Sequence, residues 1–413
     1  MSTPAIPDPA AAPPRERWWL LSLAGVQFTH ILDFMIMMPL GPQLTRLFGI
    51  SDAQFGLLVS AYTLAAGVSG LLATTYLDRH GRKRLLLVLY GLFALATLAC
   101  GLAPSYGALM LARVAAGLFG GVLTALAQTI VADCIPFERR GRAMAVVMSA
   151  FSVSTVAGVP LSLWLVAVGD WHWPFVAIAL ASALFWGMAA FTLPPLDHHL
   201  AQTAQHSPWQ RIGSVLAEPN HRWALLFTAL IMFTGFPVIP YLTIFFQANL
   251  GLTDADIPWI YFSGGLATLV TARLIGRWSD RLGKQRVFRV LAVAVALPLL
   301  GLTLLDGVGL GVVVAVNTVL FVVMSGRMIP GMALVTSAAD PARRGTFMAF
   351  NAAVQSAAMG SAAFVGGLLI ERDPGGRVVH YWLAALLGVA ASLASIWVMR
   401  RLRLHGAGVQ RLP

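Results

Sequence analysis

The chain has 413 residues, of which 58% are hydrophobic and 11% are charged, and its mean hydropathy is +0.76. Such a small share of charged side chains cannot cover the surface of a soluble protein. The composition therefore excludes soluble proteins and indicates a membrane protein. The net charge of +11 lies mostly in loops on one side of the predicted membrane and requires no nucleic-acid partner.

Apolar segments long enough to cross a bilayer, at about 20 residues each, recur along the chain. In order, helices 1 to 12 are predicted at 18–42, 53–76, 84–103, 106–134, 143–168, 173–193, 222–248, 257–279, 287–305, 308–338, 346–370 and 380–400. We expect a disordered cytoplasmic N-terminus (1–17), an N-terminal six-helix half (18–193), a cytoplasmic linker (194–221), a C-terminal six-helix half (222–400) and a cytoplasmic tail (401–413).

The distribution of basic residues predicts the orientation. If the N-terminus is cytoplasmic, Lys and Arg concentrate in the inner loops, and the outer side holds only Arg46, Arg372 and Arg377. This pattern follows the positive-inside rule. We therefore expect a multi-pass protein of the cell inner membrane with both termini in the cytoplasm.

Helix 1 contains a carboxylate deep in the membrane. Asp33 lies about 22 Å along the helix from Trp18, within a hydrocarbon layer of about 30 Å. Acids at such depth are rare and usually functional, although a structural hydrogen bond is the alternative. His30 is one turn earlier on the same face and is either a proton carrier or a hydrogen-bonded core residue. Pro39 and Pro42 should bend or unwind the outer end of the helix.

A charged loop between helices 2 and 3 occurs again half a chain later. Leu77–Arg84 reads LDRHGRKR and Ser279–Arg286 reads SDRLGKQR, with Asp280 following Asp78 by 202 residues. The starts of helices 2 and 8 are also 202 residues apart, and Ser51 and Thr253 are the predicted N-caps, with Gln54 and Asp256 at capping-box spacing. The repeat predicts two halves in the same orientation.

Two further charges lie at a similar depth to Asp33. Arg113 on helix 4 is about 18 Å from the inner face, and Arg327 on helix 10 is about 20 Å from it. All three should face a shared interior, and Arg113 should hold the proton site electrostatically. The partner of Arg327 is either a backbone carbonyl or Gln355, or it is the transported substrate. Arg273 on helix 8 is near enough to the cytoplasm to snorkel, so we assign it no role.

These motifs resemble those of the major facilitator superfamily of secondary transporters, and in particular its twelve-helix drug:proton antiporter and arabinose-efflux-permease-like branch. The resemblance rests on the repeated Asp-Arg-x-Gly loop, on the helix 1 residues Leu32, Pro39 and Pro42, on Leu109, Arg113, Gly117 and Gly120 of helix 4, and on the antiporter motif Gly158, Pro160 of helix 5. It implies an all-α membrane fold of two pseudo-symmetric six-helix halves. The substrate site would lie between them near the midplane.

The resemblance also implies a gating cluster at the cytoplasmic side. Asp78 and Arg82 would form a charge relay with Asp133 of helix 4, and Gly81 would allow the loop to turn. Asp280 and Gly283 are the matching positions of the second copy. The alternative is a group of solvated, positive-inside anchors.

Other energy sources and chemistries find no support in the sequence. Lys83 and Lys284 are the two lysines, and neither completes a phosphate-binding loop, while hydrolase and zinc-protease motifs are absent. We expect no enzyme activity, cofactor or metal; the partners should be protons, a small-molecule substrate and the bilayer, and the protein a monomer. The predicted function is a proton antiporter that exports a small organic compound by alternating access; the alternative is a proton symporter or facilitator that imports a small polar solute.

Overall fold

The computed structural model describes residues 14–77, 80–194, 196, 213, 215–340 and 343–405. Within these ranges, eleven segments are long and apolar enough to cross a membrane. The twelfth predicted crossing, helix 8, is a 26-residue helix. It is long enough to span a bilayer but less apolar than the others, because it includes Arg273 and Arg277.

The helices follow the predicted order, and several consist of two or more pieces. In the N-terminal half, helix 1 is Pro14–Ile36 and Gly41–Phe48, helix 2 Asp52–Tyr76, helix 3 Arg82–Gly101, helix 4 Tyr106–Gly120 and Leu123–Cys134, helix 5 Phe137–Val153, the π-helix Ser154–Gly158 and Val159–Val168, and helix 6 His172–Thr192. In the C-terminal half, helix 7 is Pro219–Gly235, the 3-10 turn Ile239–Tyr241 and Leu242–Leu250, helix 8 Ile257–Leu282, helix 9 Lys284–Ala294 and Ala296–Thr303, helix 10 Leu310–Ala338, helix 11 Arg344–Leu369 and helix 12 Tyr381–Met399.

Proline interrupts the first helix of each half. Helix 1 ends at Ile36, and a separate helix that begins at Gly41 follows it, with Pro39 in the intervening turns. Helix 7 is interrupted around Pro237 and Pro240 in the same way. Proline lacks the N–H that the helical ladder needs, so the chain cannot continue regularly through these positions. The interruption of helix 1 was predicted, whereas that of helix 7 was not.

The two helix starts that the repeat made equivalent differ. Ser51 caps helix 2 as predicted: its hydroxyl accepts from the Gln54 N–H at 3.2 Å and Gln54 Oε1 accepts from the Ser51 N–H at 2.9 Å. The prediction for Thr253 is wrong, because helix 8 begins at Ile257 with Asp256 at the N-cap. There Asp256 Oδ2 accepts hydrogen bonds from both the N–H and the hydroxyl of Thr253. These hydrogen bonds also lower the pKa of Asp256, which lies in the outer loop.

The N-terminus and the linker are only partly described. Helix 1 starts at Pro14, so residues 14–17, predicted to be disordered, are helical. Most of the predicted linker lies outside the described residues, and residues 213 and 215–217 are helical.

The halves contact each other through helices 2 and 11 and through helices 5 and 8. Glycines bring the backbones together, because a methyl group added at Gly360 would lie 2.6 Å from Thr63 Oγ1, and one at Gly265 would lie 3.1 Å from the carbonyl oxygen of Thr155. Ser60 Oγ also donates to the carbonyl of Gly360 across this interface at 2.7 Å.

A short hairpin connects helices 11 and 12 on the outer side. Strand β1 (Glu371–Arg372) pairs antiparallel with strand β2 (Val378–Val379). The side chain of Asn249, at the outer end of helix 7, fixes the hairpin by donating to and accepting from the backbone of Val378, at 2.8 Å each. The hairpin therefore belongs to the C-terminal half and holds its own charged residues, Arg372 and Arg377, in fixed positions.

Candidate functional site

The predicted proton site is a buried ion pair between helices 1 and 4. Arg113 Nη1 donates to Asp33 Oδ2 at 2.8 Å and to the Asp33 backbone carbonyl at 3.2 Å. Both side chains are 0% exposed. Asp33 and Arg113, which the sequence predicted to lie at a similar depth in the membrane, therefore contact each other directly within the N-terminal half.

The pair is incompletely satisfied. Asp33 Oδ1 and the Nε and Nη2 atoms of Arg113 are buried and form no hydrogen bond of normal geometry with the described residues, although Thr97 lies close to Asp33 and Cys100 close to Arg113. A guanidinium and a carboxylate bind most tightly through two parallel hydrogen bonds, whereas here the carboxylate uses one oxygen. A buried charge pair with unused donors and acceptors is held less firmly than a bidentate one. The geometry thus suits a pair that separates when one partner changes its charge.

Tyr62 of helix 2 completes this site, and sequence reasoning missed it. The Arg113 guanidinium carbon lies 4.4 Å from the centroid of the Tyr62 ring, which is cation–π distance. The Tyr62 hydroxyl forms a 2.7 Å hydrogen bond with His30 Nδ1. The described contacts thus join His30 to Tyr62, whose ring lies over Arg113, and not to Asp33 itself.

Small residues on helix 4 allow this close approach. A Cβ at Gly117 would clash with the backbone carbonyl of Tyr62, and one at Gly120 would lie 2.8 Å from the Tyr62 hydroxyl. Gly121 packs in the same way against Ala66, one turn farther along helix 2. Glycines spaced four residues apart are typical of tight helix packing in membranes. The glycines of the helix 4 motif were therefore a signal for a close neighbour, although not for its identity.

The helix 5 motif packs on helix 1 beside the proton site. Gly158 ends the π-helical turn, and a Cβ there would lie 2.9 Å from Leu32 Cδ1. Pro160 is the second residue of the following helical piece, where a missing N–H is tolerated. Ser154 of the same turn donates to the carbonyl of Phe28 on helix 1. These contacts pack helix 5 against the turns of helix 1 that come immediately before Asp33.

Arg327 is buried inside the C-terminal half and is 1% exposed. Its Nη2 donates to the backbone carbonyl of Ile231 on helix 7 at 2.6 Å. Its Nε and Nη1 atoms have no partner within the described ranges, and the hydrogen bond that is present goes to helix 7 and not to Gln355. Pro330, one turn later, removes an N–H from the ladder of helix 10 next to this arginine. Gln355 is partly buried on helix 11.

The structure joins two of the three predicted gating residues. Arg82 Nη1 contacts Asp133 Oδ2 at 2.8 Å, and their side chains are 10% and 41% exposed. Both residues belong to the N-terminal half, at the first turn of helix 3 and the last turn of helix 4. Asp78, the third residue, lies outside the described residues.

The two loop glycines differ in backbone conformation. Gly283 has φ +91°, which favours glycine, whereas Gly81 has φ −57°, which any residue adopts. Gly81 lies at the N-cap of helix 3, in a conformation that does not itself require glycine. Asp280 is exposed near the end of helix 8 and forms no ion pair with any described residue.

An ion pair joins the two halves at the end of the bundle that carries the hairpin, and it was not predicted. Arg372 of the hairpin donates through Nε and Nη2 to the two carboxylate oxygens of Asp52, at 2.8 Å each. Asp52 is the first residue of helix 2 and its side chain is 4% exposed, compared with 39% for Arg372. The hydrogen bonds to Asp52 raise the pKa of Arg372 further above its usual value. Together with the bond from Ser60 to Gly360, this pair ties the halves together on the outer side.

The sequence of this chain is similar to those of known transporters. The MFS-type transporter YtbD of Bacillus subtilis (strain 168), described as uncharacterized, is 26% identical over 386 residues, 92% of this chain and 94% of YtbD. The gallate transporter of Pseudomonas putida is 29% identical over 197 residues, 46% of this chain and 42% of that protein.

The fold is shared with solved transporters. The crystal structure of a D-xylose-proton symporter superimposes with a TM-score of 0.74 at 17% identity, over 92% of this chain and 96% of the symporter. This similarity confirms the predicted all-α fold of two six-helix halves. The family model of the Major Facilitator Superfamily matches residues 23–330 and 238–410, which together span nearly the whole described structure. A chain with these helices, this repeat and this match belongs to the Major Facilitator Superfamily and is a multi-pass membrane transporter.

Proposed function

We propose that the protein is a proton-coupled secondary transporter of the cell inner membrane that exports a small organic compound by antiport and alternating access. The observation that carries this proposal is the buried Asp33–Arg113 pair. Among the described residues, Asp33 is the acid placed in the middle of a membrane helix, and its partner is a cation with unused donors. Acids at this depth are rare and are usually functional, as in proton relays.

Proton binding would act on this pair in a simple way. A proton on Asp33 removes the negative charge that holds Arg113, so the guanidinium loses its attraction and shifts toward Tyr62 or toward cargo. Loss of the proton restores the ion pair. A transporter uses such a change if the two charge states favour opposite conformations, because a ligand shifts a conformational equilibrium only through its differential affinity.

The gating cluster is part of the same proposal. Arg82 and Asp133, with Asp78, would stabilise the state closed to the cytoplasm, and Asp280 with Gly283 would mark the equivalent loop in the other half. Each half supplies one copy of the charged loop, so the two loops can come together only when the cytoplasmic side closes. The orientation with both termini in the cytoplasm follows from the distribution of Lys and Arg.

The relative that transports gallate gives the first compounds to test. Gallate is a small aromatic carboxylate, and the similar segment covers 46% of this chain. We therefore propose small aromatic acids as initial candidates for cargo. The direction of transport and the coupling mode are outcomes of the experiment, since the same carboxylate can support antiport or symport.

The decisive experiment measures gradient-driven flux in proteoliposomes. The parent protein and Asp33→Asn are reconstituted, a pH gradient of either sign is imposed, and movement of radiolabelled gallate and benzoate is followed. We expect Asp33→Asn to abolish accumulation against a gradient while it retains exchange without a gradient, because the substrate path is intact. Asp306→Asn, an exposed acid on the outer side, is the matched control and should behave as the parent does. Uphill flux that is unchanged in Asp33→Asn would refute the coupling role, and dependence on the opposite gradient would establish symport.

A further inference from the structure

The charges inside the membrane do not balance. Asp33 and Arg113 neutralise each other at 2.8 Å, within the N-terminal half. Arg327, in the other half, forms no ion pair with any described residue. The described helix interiors at this depth therefore carry one positive charge in excess when Asp33 is ionised and two when it is protonated.

Arg327 is held, but not neutralised, by its surroundings. Its one hydrogen bond goes to the Ile231 carbonyl, which satisfies one of five N–H groups and carries no full charge. The two other nitrogens have no partner in the part of the chain that the structure describes, and the side chain is 1% exposed. A buried, unpaired guanidinium is destabilising by several kcal/mol. A protein that needed only a structural contact here could use a neutral side chain.

Nearby polar side chains do not supply a counter-charge. Thr228, one turn before Ile231 on helix 7, donates to Asn351 Oδ1 of helix 11 at 2.6 Å, so these two groups satisfy each other. Both are neutral. Polar groups on helices 7 and 11 thus lie near the carbonyl that Arg327 contacts, whereas an anion is missing.

We infer that Arg327 is the anchor of an organic-anion site, and that the cargo carries a carboxylate or phosphate group. The unused Nε and Nη1 donors lie on different edges of the guanidinium, and the second N–H of Nη2 can complete a two-donor fork with one of them. Carboxylate and phosphate oxygens accept such a fork, and lysine cannot reproduce it. Lipophilic cations should be rejected, since the excess charge repels them and no free carboxylate receives them.

This inference rests on the proposed function only in treating the chain as a carrier with a central substrate site. It makes no use of proton coupling.

Binding in detergent, with no gradient, tests the inference. Thermal stabilisation and intrinsic tryptophan fluorescence are measured with benzoate, citrate, glucose 6-phosphate and inorganic phosphate, and with tetraphenylphosphonium as the contrasting cation. We expect at least one anion to bind the parent protein, to lose at least tenfold in affinity in Arg327→Gln, and to be weakened less in Arg327→Lys, which keeps the charge but loses the fork. Arg273→Gln removes an exposed arginine from a helix of the same half and should bind as the parent does.

The outcomes separate this inference from the proposed function. It is overturned if no anion of the panel binds, if Arg327→Gln and Arg327→Lys both bind anions as tightly as the parent, or if tetraphenylphosphonium binds better than every anion. If Arg327→Gln does not fold, Arg327→Lys alone is compared with the parent. Weaker anion binding in Arg327→Lys would support a contact with the guanidinium, and unchanged binding would overturn it. An anion that binds through Arg327 but is not driven by a proton gradient would leave the site standing and contradict the coupling. Proton-driven export of tetraphenylphosphonium, undiminished in Arg327→Ala, would support the coupling and contradict the anion site.

Discussion

Removing Arg372 should shift the protein toward the state that is open to the outside. Its partner, Asp52, begins helix 2 in the N-terminal half, whereas Arg372 belongs to the hairpin of the C-terminal half. The ion pair can therefore exist only while the outer sides of the halves are together. Arg372→Ala is preferable to a change at Asp52, because an acid in the first turn of a helix also interacts with the helix dipole.

The magnitude follows from the geometry of the pair. Exposed ion pairs contribute about 0.2–1 kcal/mol, and hydrogen bonds to charged groups contribute about 1.5–3 kcal/mol. This pair is bidentate at 2.8 Å, with one partner 4% and the other 39% exposed, so it falls between these classes. About 1–2 kcal/mol is a reasonable value for the stabilisation of the outer-closed state. Its loss should raise the ratio of outward-open to outer-closed molecules by about 5–30-fold.

Labelling of a buried interface cysteine measures this ratio. Ser60 is fully buried between helices 2 and 11, so it should become accessible when the two halves separate on this side. Ser60→Cys, in a background in which Cys100 and Cys134 are replaced by alanine, is exposed in intact cells to a membrane-impermeant maleimide. The labelling rate should be about 5–30-fold higher when Arg372→Ala is added.

A second ion pair on the same hairpin provides the control. Arg377 contacts Asp306 at 2.6 Å, but both residues belong to the C-terminal half and both are exposed. Arg377→Ala therefore removes a hairpin arginine without breaking a contact between the halves, and the labelling rate should stay at the parent value. Equal rates in the parent and in Arg372→Ala, or an equal increase in Arg377→Ala, would show that the pair does not hold the outer side closed.

Three further predictions concern the proton site and the cytoplasmic side. Tyr62→Phe keeps the ring under Arg113 but loses the bond to His30, so the pH profile of transport should shift while expression stays normal; an unchanged profile would make the hydroxyl merely structural. Gly117→Ala forces a methyl group into the backbone of helix 2 and should lower thermal stability by about 1–3 kcal/mol, as overpacking does, whereas Gly107→Ala meets open space and should not. Asp133→Asn should raise labelling of cysteines introduced on the cytoplasmic half of the cavity, and labelling at the parent level would favour a solvated anchor.

Charged residues inside apolar helices were the most predictive part of the sequence. Asp33 and Arg113 could be placed in one layer by counting residues, because a helix rises by a constant distance and because charges at that depth are rare. Their contact at 2.8 Å agrees with that estimate. The fold class and the duplicated halves were equally accessible, since they depend on hydropathy and on internal repetition.

Features that depend on helix rotation and on loop packing could not be predicted. Tyr62 looks like any aromatic residue of a membrane helix, and only the rotation of helix 2 turns it toward Arg113. Asp52 and Arg372 are 320 residues apart and look like ordinary charges of outer loops. The interruption of helix 7 has the same physical cause as that of helix 1, because Pro237 and Pro240 lack the N–H groups that the helix needs.

The proposed proton site and the proposed anion site lie in different halves, so coupling requires a contact that both halves share. Phe34, next to Asp33 on helix 1, stacks on Tyr62 with ring centroids 5.7 Å apart and also contacts Phe236 of helix 7 at 6.2 Å. Phe236 lies where helix 7 is interrupted, immediately after Gly235, and therefore at the most deformable point of the helix that holds Arg327 through Ile231. A shift of Arg113 on protonation would move the Tyr62 ring under it and, through Phe34, this point of helix 7. We therefore propose the aromatic contact between the halves as the route by which protonation of Asp33 would alter the position of Arg327.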